Sequence, residues 1–96
     1  MEKDKGELSY LNIMDVEGVS GIIRYLSING ESKNIHLKSV IPNHYRLHQT
    51  MIKMKDAGLV DYVFEVSPKK IYRYWLTEKG KLVAVKLAEI DKIINS

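Results

Sequence analysis

The stretch from residue 43 to residue 60, NHYRLHQTMIKMKDAGLV, constrains the fold more than any other part of the chain. Its apolar residues recur at helical spacing and line one face: Leu47, Met51 and Met54. Asn43 is the expected N-cap, and Gly58 is the expected left-handed residue that ends the helix. The pattern predicts one amphipathic helix over residues 43–57.

The opposite face of this helix is polar and cationic. It carries His44, Tyr45, Arg46, His48, Gln49 and Lys53. The major groove of DNA admits a helix, and side chains of these types read base edges there through hydrogen bonds. Because no acid lies close to Arg46 in the sequence, we expect it to contact DNA rather than pair within the fold. The helix is therefore predicted to be a recognition helix.

Cationic charge is concentrated in two windows, although the net charge is only +3. Residues 32–55 contain no acid and hold Lys33, Lys38, Lys53, Lys55, Arg46 and all three histidines. Residues 67–77 contain no acid either and hold Lys69, Lys70 and Arg73. Such a distribution is expected of a phosphate-binding surface, with Lys38, Lys69 and Lys70 as further contacts. A solvated basic face without a ligand remains the alternative.

The composition excludes several classes of protein. The 96 residues are enough for one domain, and the absence of cysteine excludes disulfides and thiolate metal sites. No signal peptide and no apolar run of the roughly 20 residues needed to span a bilayer is present, so a cytoplasmic protein is expected. His44 and His48 are four residues apart but lack a third metal ligand. We predict no catalytic residue, metal or cofactor, and hence no enzyme.

Before the long helix, the sequence predicts a short tail and two helices. Residues 1–6 are expected to be a disordered tail, and residues 7–18 an N-terminal extension that is either a short helix or a strand. Residues 19–29 form a helix with Ile22, Ile23 and Leu26 in the core. Residues 34–41 are predicted to form a helix of about two turns capped by Asn34. A short strand that includes Ile35 before this helix is the alternative. A short helix and a long helix across a tight turn make a helix-turn-helix.

After Gly58 the apolar period changes to two, which predicts a β-hairpin of residues 60–66 and 71–76. Pairing Ser67 with Ile71 places Val66, Phe64 and Tyr62 opposite Tyr72, Tyr74 and Leu76, all on one buried face. Glu65 then faces Arg73 and Val63 faces Trp75 on the other side, where Trp75 packs on the last helix or on a partner chain. A wider loop is open, because Lys70 replaces the glycine that a three-residue loop favours.

The last helix, residues 77–96, begins at Thr77 as N-cap with Glu78 in its first turn. Four apolar residues follow the 4-3-4 spacing typical of a coiled coil: Val83, Leu87, Ile90 and Ile94. The apolar stripe is broader than so small a domain can cover. A homodimer with this helix at the interface is therefore predicted, next to a DNA-binding domain of residues 19–76.

Two motifs carry a resemblance to a known family. Residues 51–60, MIKMKDAGLV, resemble the end of the recognition helix of the MarR-like and HxlR-like regulators of bacteria and archaea. Residues 71–87, IYRYWLTEKGKLVAVKL, resemble their second wing strand and the helix that follows it. IIRYL at residues 22–26 is similar to their first core helix. The resemblance implies an α+β, mostly α, winged helix-turn-helix fold with a three-helix core, a β-hairpin wing and a C-terminal helix.

The resemblance also implies a function: sequence-specific binding of double-stranded DNA as a homodimer, with control of transcription. The groove-facing positions would be His44, Tyr45, Arg46, His48 and Gln49, with Lys53 on the DNA backbone. The wing, residues 60–76, would reach the backbone or minor groove through its tip at residues 68–70. Such regulators often bind small-molecule effectors, but nothing in this sequence marks a pocket. A protein-interaction module and a non-specific chromatin-like binder remain alternatives.

Overall fold

A computed structural model describes residues 12–66 and 68–96. A 3₁₀ turn, Ile13–Asp15, precedes α1 (Val19–Asn29), β1 (Ser32–Lys33), α2 (Asn34–Leu37) and α3 (His44–Asp56). The hairpin strands β2 (Val60–Glu65) and β3 (Ile71–Leu76) follow, and α4 (Glu78–Ile94) ends the fold. This order confirms the predicted mostly helical winged helix-turn-helix. The predicted tail and the first part of the N-terminal extension lie outside the described residues.

The core lies between α1, α3 and the sheet, and the apolar stripes predicted from the sequence face it. Ile22 and Ile23 of α1 and Met51 and Met54 of α3 are each 0% exposed. Burying such side chains contributes roughly 1.5–3 kcal/mol each relative to leaving them in water. The helical spacing of apolar residues therefore identified the packed faces of α1 and α3 correctly.

The two ends of α3 form where the sequence predicts. The side chain of Asn43 accepts a hydrogen bond from the backbone N–H of Arg46 at 2.9 Å. Gly58 has a left-handed backbone with φ of 80°. The N–H of Leu59 donates to the carbonyl of Met54 at 3.0 Å, which closes a Schellman turn and buries the Leu59 side chain. Both ends are confirmed because each depends on neighbouring residues alone.

The prediction for α2 was partly wrong. Lys33, not Asn34, is the N-cap, and Asn34 instead accepts a hydrogen bond from the backbone N–H of Tyr72 at 3.3 Å. The short strand is Ser32–Lys33, which pairs with β3, whereas Ile35 lies in α2 and is exposed. Pairing with β3 draws the chain into the sheet immediately before Asn34. The helix is therefore a single turn, continued by a turn through residue 40.

The predicted hairpin register was wrong by two residues. Tyr62 lies opposite Tyr74 and Phe64 lies opposite Tyr72, and five residues, 66–70, connect the strands. The wider loop removes the need for a left-handed residue at Lys70. A shift of two preserves which residues share a face. The pairs nearest α4 remain in the core, but Phe64 and Val66, predicted to be buried, are exposed near the wing tip.

On the outer face of the hairpin the pairing also differs from the prediction. Val63 lies opposite Arg73, Asp61 opposite Trp75, and Glu65 opposite Ile71. Arg73 nevertheless reaches Glu65 diagonally, with its Nε donating to a carboxylate oxygen at 2.9 Å. The two side chains therefore form an ion pair, although the two residues are not directly opposed.

The start of α4 is confirmed and tightly packed. The Thr77 hydroxyl accepts a hydrogen bond from the N–H of Gly80 at 3.0 Å, and Glu78 occupies the first turn. A Cβ at Gly80 would lie 2.0 Å from the carbonyl oxygen of Leu59. Only glycine therefore lets α4 approach the chain that leaves α3 this closely. None of the helices in the described part of the chain is long and apolar enough to cross a membrane.

Candidate nucleic-acid interface

The outward side of α3 carries most of the side chains that were predicted from the sequence to contact DNA. Tyr45 is 70% exposed, and His44, Arg46, Gln49 and Lys53 are exposed as well. Because successive residues turn by about 100°, Tyr45 and Gln49 lie at the centre of this side. Asp56 lies on the same side as Gln49, two turns later, and places a carboxylate at the C-terminal end. The acid-free part of the front is therefore the N-terminal two thirds of α3.

Two of the predicted residues, His48 and Arg46, lie at the flanks of α3 and contact other elements. On one flank, the imidazole of His48 is half-buried, with its ring centroid 5.2 Å from that of Tyr72 in β3. On the other flank, the guanidinium of Arg46 donates to the carboxylate of Glu17, in the turn before α1. Arg46 thus has an acidic partner in the free protein, and its predicted contact with DNA remains a prediction. Glu17 is 29 residues away in the chain, and only folding brings the two together.

A cluster of aromatic rings fixes the hairpin relative to α3. The Tyr72 ring lies 4.5 Å from Phe64, 5.6 Å from Tyr62 and 5.8 Å from Tyr74, measured between centroids. Tyr74 is 1% exposed, and burial raises the pKa of its hydroxyl well above the usual range. Together with the contact of Tyr72 to His48, this packing sets the distance between the front of α3 and the wing.

The exposed wing tip lies beside the start of α2 rather than standing alone. Lys69 and Lys70 line a surface cleft together with Lys33 and Asn34. Lys33 was not predicted to be a contact residue, although it lies in the first acid-free window of the sequence. Lys38 is exposed just after α2. The wing tip and the start of α2 thus form a second cationic surface.

Folding brings acids to three cations of the two acid-free windows. Besides Arg46, Lys55 contacts Asp61 at 2.6 Å, and Arg73 contacts Glu65 at 2.9 Å and Glu31 at 3.9 Å. The hydrogen bond from Lys55 lowers the pKa of the Asp61 carboxyl. These pairs are all at least one-third exposed and therefore contribute little to stability. Three cations of the two acid-free windows therefore have acidic partners in the fold, although neither window itself contains an acid.

The predicted dimer seam on α4 is divided between two environments. Val83 and Leu87 are half-buried and pack against the core of their own chain. Ile90 is 48% exposed and Ile94 is 71% exposed. Three further apolar side chains of α4 are also exposed: Leu82, Val85 and Ile93. The second half of the seam is thus uncovered in a single chain.

Trp75 is half-buried on the outer face of the sheet, next to α4. It lines a cleft of about 430 Å³ with Leu26 of α1 and with Lys81 and Val85 of α4. Of the two surroundings expected for Trp75, the last helix of the same chain is the one observed. Residues 12–66 and 68–96 contain no group of three histidine, aspartate or glutamate side chains placed to hold a metal. His44 and His48 therefore remain a pair without a third ligand there.

No protein-family model and no curated protein sequence matches the chain. Several solved structures, however, superpose on this chain. A transcriptional regulator homologue from Pyrococcus horikoshii OT3 superposes with a TM-score of 0.74 at 16% identity, covering 95% of this chain and 93% of its own. An apo mutant of Lactococcus lactis ZitR gives 0.70 at 15% identity, covering 94% and 68%. Reduced B. subtilis YodB gives 0.66 at 18% identity, covering 96% and 90%. These likenesses establish the winged-helix fold.

Proposed function

We propose that this protein is a transcriptional regulator that binds double-stranded DNA, with α3 in the major groove and the wing on the adjacent backbone or minor groove. One observation carries the proposal. The exposed front of α3, where residues 44–55 themselves include no acid, is held relative to a lysine-bearing wing tip by the packing of His48 on Tyr72. The P. horikoshii protein and YodB, whose fold this chain shares, are both described as transcriptional regulators or their homologues.

In this proposal, the front of α3 reads bases while its edges and the wing contact phosphates. Tyr45 and Gln49 face the base edges, and Arg46 donates to guanine N7 and O6 after leaving Glu17. His44 and Lys53 lie at the margins of the front, and Lys53 meets the backbone. The position of Asp56 supports this assignment, because a carboxylate at the C-terminal end of α3 favours entry into the groove by its N-terminal residues.

The proposed regulator acts as a homodimer through α4. The exposed Ile90 and Ile94 continue the stripe that Val83 and Leu87 begin against the core, so a second copy would cover the uncovered half. Two copies of α3 related by a two-fold axis would read half-sites about one helical turn, roughly 34 Å, apart. A palindromic target follows from this symmetry.

The first test is binding to random duplex DNA at two salt concentrations, followed by selection of a preferred sequence. We expect binding that falls steeply with salt, and a palindrome from the selection. Strong binding without a preferred sequence would indicate a non-specific chromatin-like binder. Absence of binding at low salt would contradict the proposal and favour a protein-interaction module.

Point variants separate base reading from phosphate contact. Arg46→Ala should weaken binding to the selected sequence by about 1–3 kcal/mol, because a bidentate contact to guanine is lost. Lys69→Ala and Lys70→Ala should weaken binding to all duplexes similarly and reduce the salt slope by about one each. Lys92→Ala removes a cation from the last turn of α4 and is the matched control. Equal affinity of Arg46→Ala and Lys92→Ala for the selected site would contradict the groove model.

A further inference from the structure

The contact between Glu17 and Arg46 brings a carboxylate to the edge of the proposed DNA-reading surface. Glu17 also lines a shallow groove along the outward side of α3, together with Tyr45, Gln49 and Lys53. Both side chains of the pair are well exposed, Arg46 at 59% and Glu17 at 79%. Water and ligands therefore reach the pair, and its partners can exchange.

The position of Glu17 is imposed by the turn that carries it. Gly18 has φ of 88°, and a Cβ there would lie 2.5 Å from Cδ1 of Ile41, so the turn packs directly on the residues before α3. The N–H of Val19 donates to the carbonyl of Val16 at 3.2 Å, and Val19 is fully buried. The backbone on both sides of Glu17 is therefore anchored, which keeps its carboxylate within reach of Arg46.

We propose that Glu17 is a specificity-determining residue, which holds Arg46 in the free protein and releases it only to a base that offers a better partner. This inference rests on the proposed DNA-binding function. A guanine edge presents two acceptors to the guanidinium, N7 and O6, in a geometry that a fork of N–H groups matches. A phosphate can also accept two N–H groups of the fork, but moving Arg46 from Glu17 to a phosphate replaces one anionic partner with another.

Glu17 therefore affects correct and incorrect duplexes unequally. On a random duplex, Arg46 stays with Glu17 and neutralises no phosphate, while the carboxylate itself repels the DNA backbone. On the preferred sequence, the bidentate contact compensates for the lost ion pair. The carboxylate thus weakens non-specific binding more than specific binding, and the ratio between the two rises.

The test compares wild type with Glu17→Gln on a random duplex and on the selected sequence, by fluorescence anisotropy over a series of salt concentrations. We expect Glu17→Gln to bind random DNA roughly two- to five-fold more tightly, as for release of an exposed ion pair. The salt slope on random DNA should steepen by about one, because freed Arg46 now neutralises a phosphate. The specificity ratio should fall accordingly.

Three further variants isolate the pair. Glu89→Gln makes the same change in net charge in an exposed ion pair of α4, and it should leave the specificity ratio unchanged. Glu17→Asp keeps a carboxylate and should keep the wild-type salt slope. In the background of Arg46→Ala, Glu17→Gln should lose most of its effect. If wild type binds DNA but Glu17→Gln matches Glu89→Gln, this inference alone is overturned; if wild type does not bind DNA, the proposed function fails as well.

Discussion

Replacing Gly80 with alanine tests how closely α4 is seated against the chain that leaves α3. The new methyl group would lie 2.0 Å from the carbonyl oxygen of Leu59 and 3.0 Å from its carbonyl carbon. Both are backbone atoms of a residue that is itself buried, so neither can turn aside. Ordinary contact lies near 3.4 Å, and α4 must therefore move away by about 1 Å or more.

The expected loss of stability follows from the contacts that such a movement strains. The N–H of Thr77 donates to the carbonyl of Leu59 at 3.0 Å, and the Thr77 hydroxyl donates to that of Gly58 at 2.5 Å. Overpacking lowers the free energy of unfolding by about 1–3 kcal/mol, and two weakened hydrogen bonds lower it by about 1 kcal/mol each. The higher helix propensity of alanine raises it by about 1 kcal/mol. We expect Gly80→Ala to lower the free energy of unfolding by about 2–4 kcal/mol.

The assay is urea and thermal unfolding, followed by circular dichroism and by the fluorescence of the single tryptophan. A loss of this size lowers the Tm by about 10–25 °C in a domain of this length. Gly21→Ala in α1 is the matched control, because its Cβ would meet one side-chain atom, Cγ1 of Val40 at 2.8 Å, and no backbone atom of another element in the described part of the chain. We expect that variant within about 1 kcal/mol of wild type. A Gly80→Ala variant as stable as wild type would show that α4 does not pack this closely on Leu59.

Two further predictions concern α4. Arg24 donates two hydrogen bonds to the carboxylate of Asp91, at 2.8 Å each, and these lower the pKa of that carboxyl. The pair therefore stabilises the fold at pH values above the unfolded-state pKa of Asp91. This stabilisation is lost as the pH falls through the folded-state pKa. Asp91→Asn should therefore lower the Tm at neutral pH, and this deficit should shrink as the pH falls below the unfolded-state pKa, in thermal melts across that range; a deficit that does not change with pH would contradict the assignment. Ile90→Glu combined with Ile94→Glu should leave a folded monomer in light scattering, because a charged seam cannot be buried, whereas an unchanged dimeric mass would place the interface elsewhere.

Much of the fold was predictable because its signals are local. The cap at Asn43, the left-handed Gly58 and the cap at Thr77 each depend on residues within one turn of the chain. The ends of α1, α3 and α4 were placed correctly for that reason. The apolar faces followed from periodicity alone, since the same spacing that lines up side chains on a helix also selects those that can be buried together.

The errors involve pairings that the local sequence pattern does not specify. Asn34 was taken as a cap, but β3 comes close enough for its side chain to accept from Tyr72 instead. The hairpin register was wrong because two registers that differ by two residues share the same faces. Nothing in the alternation of side chains separates them, and the choice depended on the loop and on which pair enters the core.

Helices α1, α3 and α4, the hairpin strands and the polar front of α3 follow from local sequence, because propensity, capping and periodicity act within a few residues. Which charges on that front have partners depends on long-range packing. Arg46 and Glu17 are 29 residues apart, and no local pattern relates them until the turn at Gly18 packs against Ile41. The sequence thus predicts which residues form the proposed interface, whereas long-range packing sets which of their charges are paired.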